Sequence, residues 1–475
     1  MNLIFEGAGQ VSDEYLNLNI GALKRAAIDA WMNSHSNGWW EIDGSHYRIT
    51  GGDATVTRPG EDGEGGGDWD GNFFLTDWIV DGSKDEEYTS AFADIRTRID
   101  NALKDWDHNL LPKPKNIEED VEQARQAMRL LSTAASTSGG ATTGGGEIAG
   151  YLKSLNQNAS SMSGQSMEVF KAKFINQLES AISGYRGIAL VLGNATAAEL
   201  KIWTETRATI IDSVTKTTTA FNAAANDDSV NWEVVLKVAG AAVSGAKAFL
   251  TGGLSGVLEG AAAGLTLISD MAAISEKEAA KPDSNNYEGI MVAFETSLTD
   301  LSKAIKSEEE QIKTNIDTNF GQVQADKSSY DLTAAVVDDG NPETKDKTIF
   351  EVTDDSQVSV VVINADLANG IIDVAMPGVA AELAKAADQI FFAGQTKLRR
   401  PDGIGLGTNG PSGEIYDLGW RAAELCKDLE WEVVNGAKML RAIIEDLGVQ
   451  DSSSSDKLEQ LQASLNEGSG WDPWD

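Results

Sequence analysis

Four glycines, Gly252, Gly256, Gly260 and Gly264, follow one another at an unbroken spacing of four within the least polar stretch of the chain. On a helix the i and i+4 positions share a face, so this run would carve a groove at backbone depth about 18 Å long. Each glycine in a helix interior costs about 1 kcal/mol relative to alanine. A run of four therefore implies a neighbour that packs very closely. That neighbour is another helix, either in a water-soluble bundle or in a bilayer where small residues let backbones approach. The surrounding segment, 232–275, reads as an apolar helical hairpin. Lys247, Glu259 and Asp270 interrupt it, so neither half reaches the roughly 20 apolar residues that a membrane span requires. A hairpin kept buried and released on assembly stays open as an alternative, with Lys247 and Glu259 facing a water-filled pore.

Charge narrows the partners. The chain carries 74 acidic and 38 basic residues among 475, a formal charge of −36. Such a surface repels a phosphate backbone, and the only basic patch is Lys397, Arg399 and Arg400, so nucleic acid is excluded as the main ligand. The same charge favours a dispersed, soluble protein. The single cysteine, Cys426, rules out an intramolecular disulfide and, set among Leu425, Leu429 and Val433, reads as a buried core thiol. Residues 1–10 show no basic region followed by an apolar block. The expectation is a protein without a cleaved signal peptide, intracellular or exported by a route that reads folded helices.

The chain divides by pattern into four parts. Residues 1–83 read as a small mixed cap rich in tryptophan and acidic loops. It has a helix from Tyr15 to Trp31 and a strand pair joined through Asp43 and Gly44, followed by a Gly/Asp/Glu loop and the aromatics Phe73, Phe74 and Trp78. Residues 84–335 form a long-helix bundle. Within it one helix ends near His108, and the next opens at Asn116 with Glu119 as a capping box and buries Ile117, Val121, Ala124, Met128 and Leu131. Ser132–Gly146 is a linker by composition, Tyr151–Tyr185 carries an apolar stripe, another helix runs from Ala195 to about Ala225, and a stripe from Phe294 to Phe320 is interrupted at Glu308. Residues 336–450 hold a β-hairpin at 348–363 and then two helices with stripes through Val379–Ile390 and Leu418–Ile444, the second closed by Gly448. Residues 451–475 form an acidic, Ser-rich tail ending in Trp471 and Trp474. The fold class expected is mainly α: an elongated helical bundle with an apolar glycine-zipper hairpin and small β elements.

Motifs for chemistry are sparse. His35, His46 and His108 are scattered without metal-ligand spacing, no phosphate-cradling loop precedes Lys-Ser/Thr, and the surroundings of Ser255 and Ser412 lack the nucleophile-elbow pattern. Asp62, Glu64, Asp68, Asp70 and Asn72 offer oxygen ligands that could suit Ca²⁺ but depart from EF-hand spacing, and read first as a solvated acidic loop. No catalytic residue, cofactor or metal is expected.

Met162-Ser163-Gly164 followed by Phe170 and Phe174 resembles the WXG100 hairpin of type VII (ESX) secretion substrates, in which a tight turn joins two long helices and aromatics follow; here Met162 stands where that turn has tryptophan. The stretch Gly403–Gly413 between two amphipathic helices likewise resembles small helical modules of actinobacterial ESX-associated proteins. The resemblance implies a protein secreted or held at the cell surface without a cleaved signal peptide, non-enzymatic, acting by helix-to-helix docking and self-assembly. Its partner would be a second copy or another helical protein, with the membrane as a further contact through Gly252–Gly264. Long helices flanking an apolar hairpin are also similar, in segment order alone, to α-helical pore-forming toxins. That gives the alternative of a soluble component that inserts 232–275 on oligomerisation.

Overall fold

The computed structural model describes residues 19–35, 40–50, 54–71, 85–133, 146–163, 170–226, 286–325, 330–332 and 364–447, with residue 327 and short strand segments at 74–75, 78–79, 136–138 and 141–143. The chain is mainly α, with a small four-stranded antiparallel sheet near the N-terminus. The zipper glycines, the expected hairpin at 348–363 and the Trp-rich tail lie outside the described residues.

The N-terminal cap is built on helix α1 (Ile20–His35). The Asn19 side chain accepts the Ala22 backbone N–H at 3.1 Å, a capping bond at the helix start; residues 15–18 of the expected helix lie outside the described residues. Strands β1 (Trp40–Asp43), β2 (His46–Ile49), β3 (Thr55–Thr57) and β4 (Trp69–Asp70) form the sheet in sequence order. The β1–β2 register pairs Asp43 with His46 across a two-residue loop in which Gly44 takes φ 62°. A left-handed residue is what such a tight hairpin needs. Asp29 of α1, 3% exposed, pins the sheet: it accepts the Tyr47 hydroxyl at 2.6 Å and Arg58 Nε at 2.8 Å.

Helix α2 (Asp85–Leu103) opens with Asp85, Glu86 and Glu87, where carboxylates favour the positive end of the helix dipole. Its stripe of Tyr88, Phe92, Ile95 and Ile99 is buried. Trp31, Trp40, Trp69, Tyr88 and Phe92 interlock there, with ring centroids 5.9 to 6.3 Å apart. These five aromatics are therefore packing material. The acidic loop beside them is tied down by cations: Lys24 meets Glu64 at 3.3 Å, and Arg96 Nε donates to the Gly63 carbonyl at 2.7 Å.

Helix α3 (Pro114–Leu130) begins with Pro114 in its first turn, where the missing N–H costs nothing. The Asn116 capping box does not form, because Lys113 occupies the cap and Asn116 lies inside the first turn. Ile117, Val121 and Ala124 are buried as their spacing requires, joined by Ala127, with Leu131 just beyond the helix and Met128 only half-buried. The expected linker 132–146 contains a short antiparallel pair, β7 (Ser136–Ser138) and β8 (Ala141–Thr143), after β5 (Phe74–Leu75) and β6 (Trp78–Ile79) earlier in the chain.

Helix α4 (Glu147–Ser160) is followed by a wide π turn, Lys171–Ile175, that runs directly into α5 (Asn176–Ala225). The separate helix expected from Ala195 is part of α5, which at 50 residues is about 75 Å long. Gly187 and Gly193 lie within it without breaking it. A methyl at Gly193 would sit 3.2 Å from Ala124 Cβ, so this glycine is where α3 comes close. As the spine of the molecule, α5 packs against α1, α3, α6 (Tyr287–Ala325) and the C-terminal helix Ser412–Leu447. Helix α6 passes unbroken through Glu308. Arg98 of α2 clasps α6 through Glu295 at 2.7 and 2.9 Å and Glu288 at 2.8 Å.

The C-terminal part is a helical hairpin. Asn364 caps the short α7 (Ala365–Asn369), a π turn Gly370–Ala375 follows, and α8 (Met376–Ala393) packs along its length on α9 (Ser412–Leu447). Among the described residues, Asp366–Ala393 is the one helical stretch long and apolar enough to cross a membrane by length and composition; half of its most apolar window is buried in the protein. Its partners there are α3, α4 and α9.

Candidate functional site

Of the residues expected to carry helix packing, Gly252, Gly256, Gly260, Gly264 and Gly164 lie outside the described set. Met162, Phe170 and Phe174 are all buried, on the two sides of the passage from α4 to α5, as an internal joint. Met162 is buried and its carbonyl accepts Lys171 Nζ at 2.8 Å; Phe170 stacks on Phe174 at 5.1 Å. Phe174 seats on α9 at Gly436, where an added methyl would lie 2.6 Å from its ring, with Met376 alongside. Helix α4 runs over α8 and the Gly370–Ala375 turn, with Tyr151 covering Gly378.

Glycine is used in the same way at the top of the C-terminal hairpin. A methyl on Gly419 of α9 would lie 2.8 Å from Cα of Gly394, which ends α8, so these two chains touch backbone to backbone. Only glycine on both sides permits that approach. Gly150 and Gly321, by contrast, face open space.

A closed polar centre lies where α5, α6 and the loop joining α8 to α9 converge. The loop leaves α8 in an extended run whose side chains alternate: Lys397 and Arg399 face solvent, while Leu398 and Arg400 turn inward. The basic patch expected at 397–400 is thereby dissolved, because the Arg400 guanidinium is fully buried. Its Nη2 lies 2.5 Å from Glu309 Oε1 and 2.6 Å from Oε2, with hydrogen-bond geometry to Oε2; Nε donates to the Ile404 carbonyl at 3.2 Å and Nη1 to that of Leu398 at 3.3 Å. Glu309 Oε2 also accepts the Leu406 backbone N–H at 2.7 Å. Gly405 and Gly410, at φ 60° and 53°, let the loop wrap this pair without a side chain in the way. The guanidinium lies over the Trp203 ring at 5.0 Å, within cation–π range.

A second carboxyl completes the centre. Glu199 of α5 is fully buried and its Oε2 accepts the Trp203 indole N–H at 3.0 Å. Burial pushes its carboxyl well above the ordinary range, the Glu309 charge pushes it further, and Arg400 and the indole oppose. Glu309 is raised by burial and held back by Arg400 and Leu406. Glu308 in the stripe pointed to this stretch of α6, but its neighbour Glu309 makes the contact; Arg400 stood out only as part of a basic patch, and Glu199 gave no signal.

Outside the loop, a cleft of about 320 Å³ has Trp106 and Leu298 on its apolar side and Asp105, Lys303 and Ser302 on its polar side. Ser302 braces its edge, donating to the Gly403 carbonyl at 2.8 Å and accepting the Gly405 N–H at 3.2 Å. A third polar group unites distant residues: carboxylate oxygens of Asp331, Asp428 and Glu432 lie within 4.8 Å of one another, an all-oxygen set of the type hard cations prefer. Close by, the Tyr185 hydroxyl donates to the Tyr330 carbonyl. Cys426 is buried, as expected, and burial pushes its thiol up, away from thiolate reactivity. His35 stacks on Trp31 at 4.4 Å. No protein-family model, curated protein or solved structure matches this chain.

Proposed function

We propose that this chain is a non-enzymatic helical docking protein of the type VII substrate kind, secreted or surface-held, that works by self-assembly or by binding another helical protein. One observation carries the reading: Gly193, Gly419 and Gly436, all within helices, lie so close to a neighbouring element that an added methyl would come within 2.6 to 3.2 Å of it. In this molecule glycine inside a helix commonly marks a contact. In this reading Gly252, Gly256, Gly260 and Gly264, at the spacing of one helix face, repeat the same device, and their partner is a helix of a second copy. Glycine rather than alanine is retained there because contact outweighs the loss of helix propensity. The joint of Met162, Phe170 and Phe174 supports the role of the 162–174 segment as a packing element.

Two measurements test the proposal. Light scattering on the full chain is expected to give a multiple of the chain mass, reduced to a single chain by Gly256→Leu or Gly260→Leu. Liposomes incubated with the wild type are expected to keep their dye. Leakage that both variants lose would replace docking with the pore-forming reading, and a single-chain mass for the wild type would refute self-assembly.

A further inference from the structure

Glu199, Glu309 and Arg400 share an interior that solvent does not reach. With both carboxyls ionised they carry a net charge of −1 (two anions, one cation); with one proton retained they are neutral. An isolated charge in such surroundings is strongly disfavoured. The partners decide where the proton stays. Glu309 has the guanidinium and a backbone N–H, whereas Glu199 has one neutral donor, the indole of Trp203, and its Oε1 has no hydrogen-bond partner among the described residues.

Other charges do not alter this. Among the described residues, those acting on Glu199 are Glu309 from α6 and Arg400 from the loop. Arg207, two turns further along α5, is taken up by the carbonyls of His108, Leu111 and Pro112 at 2.9 to 3.1 Å. Opposite Gly193, α3 presents Ala124 and Met128.

We infer that Glu199 keeps its proton in the folded protein at neutral pH, and that this proton is what lets α5, α6 and the 394–411 loop close on one another. The centre is a proton-dependent joint. Proton loss to solvent breaks only the Glu199 carboxyl O–H bond and converts the cluster from neutral to −1, leaving a second anion beside Glu309 with one guanidinium, Arg400, between them. This holds whether or not the chain self-assembles.

The sign follows from linkage. A carboxyl that binds its proton more tightly folded than unfolded gives a contribution complete below the unfolded value, near pH 4, and lost as pH rises through the folded value. The test compares urea unfolding of the full-length wild type with Glu199→Gln, which mimics the protonated form, from about pH 5 to about pH 9. The folding constant of the wild type divided by that of the variant is expected to fall by up to tenfold per pH unit until Glu199 ionises. Parallel profiles would overturn the inference. A second readout does not depend on the variant folding: infrared spectra of the wild type at about pH 8, where ordinary carboxyls are ionised, should retain the C=O band of a protonated carboxyl. Its absence there would also overturn the inference.

Discussion

Arg400 is the residue on which the largest single energetic consequence rests. Removing it leaves Glu309 with one backbone donor and places two carboxyls together without a cation. Arg400→Leu is therefore expected to cost about 3–5 kcal/mol in urea unfolding at neutral pH, the usual range for breaking one side of a buried pair. Asp120 gives a smaller, pH-dependent effect. Burial lifts its carboxyl from the ordinary 3.8 to about 6, with Thr396 and Lys397 opposing and the Glu119 charge adding. A raised folded value means that its contribution is complete below about pH 4 and is lost as pH rises through 6. Asp120→Asn should therefore gain about 1 kcal/mol over the wild type above pH 7 and converge with it below pH 4, solvent screening keeping the gain small. At this scale the sequence was only partly legible. Cys426 and the core stripe of α3 follow from local spacing, because each depends on neighbours three and four residues away. The Glu199–Glu309–Arg400 centre joins positions more than ninety residues apart, and no periodicity carries that information.

Among the elements, the same chemical change has opposite expected signs at two helical glycines. Gly419→Ala drives a methyl to 2.8 Å from the Gly394 backbone and should destabilise by about 1–3 kcal/mol, the cost of overpacking a contact that cannot yield. Gly321→Ala adds its methyl in open space and should stabilise α6 by about 0.5–1 kcal/mol through helix propensity. Thermal unfolding of the two variants beside the wild type checks both. The contrast also explains what could be read of the helices. Helices α8 and α9 and the β1–β2 pair declared themselves by apolar spacing and a turn glycine, whereas of α2 only an end near His108 was legible, and the helix stops at Leu103. The continuity of α5 did not, because Gly187 and Gly193 look like breakers in sequence, while Gly193 in space is where α3 approaches. Similarly, Pro114 rather than Asn116 starts α3, since a fixed backbone angle at the first helical position competes well with a side-chain cap.

For the whole molecule, the charge of −36 opposes any contact between copies. Self-repulsion of this size is screened by salt, with the Debye length falling from about 10 Å at 0.1 M to about 3 Å at 1 M. A docking surface made of small apolar residues keeps its attraction under the same change. Assembly should therefore strengthen as salt is raised, which sedimentation velocity across a salt series would register as a shift to larger species; dissociation with salt would argue for ion pairs instead. The mainly helical architecture was legible because long stripes dominate the sequence. That glycine faces bring helices of separate copies to backbone distance is tested most directly by oxidative cross-linking of Ser255→Cys, a nearly isosteric change beside Gly252 and Gly256 that leaves the glycines in place. The only native thiol, Cys426, is buried, and a disulfide demands Cα atoms about 4.4–6.8 Å apart. Covalent dimers on a denaturing gel, absent from the wild type, are the predicted result; a single-chain band under sustained oxidation at high salt would contradict it.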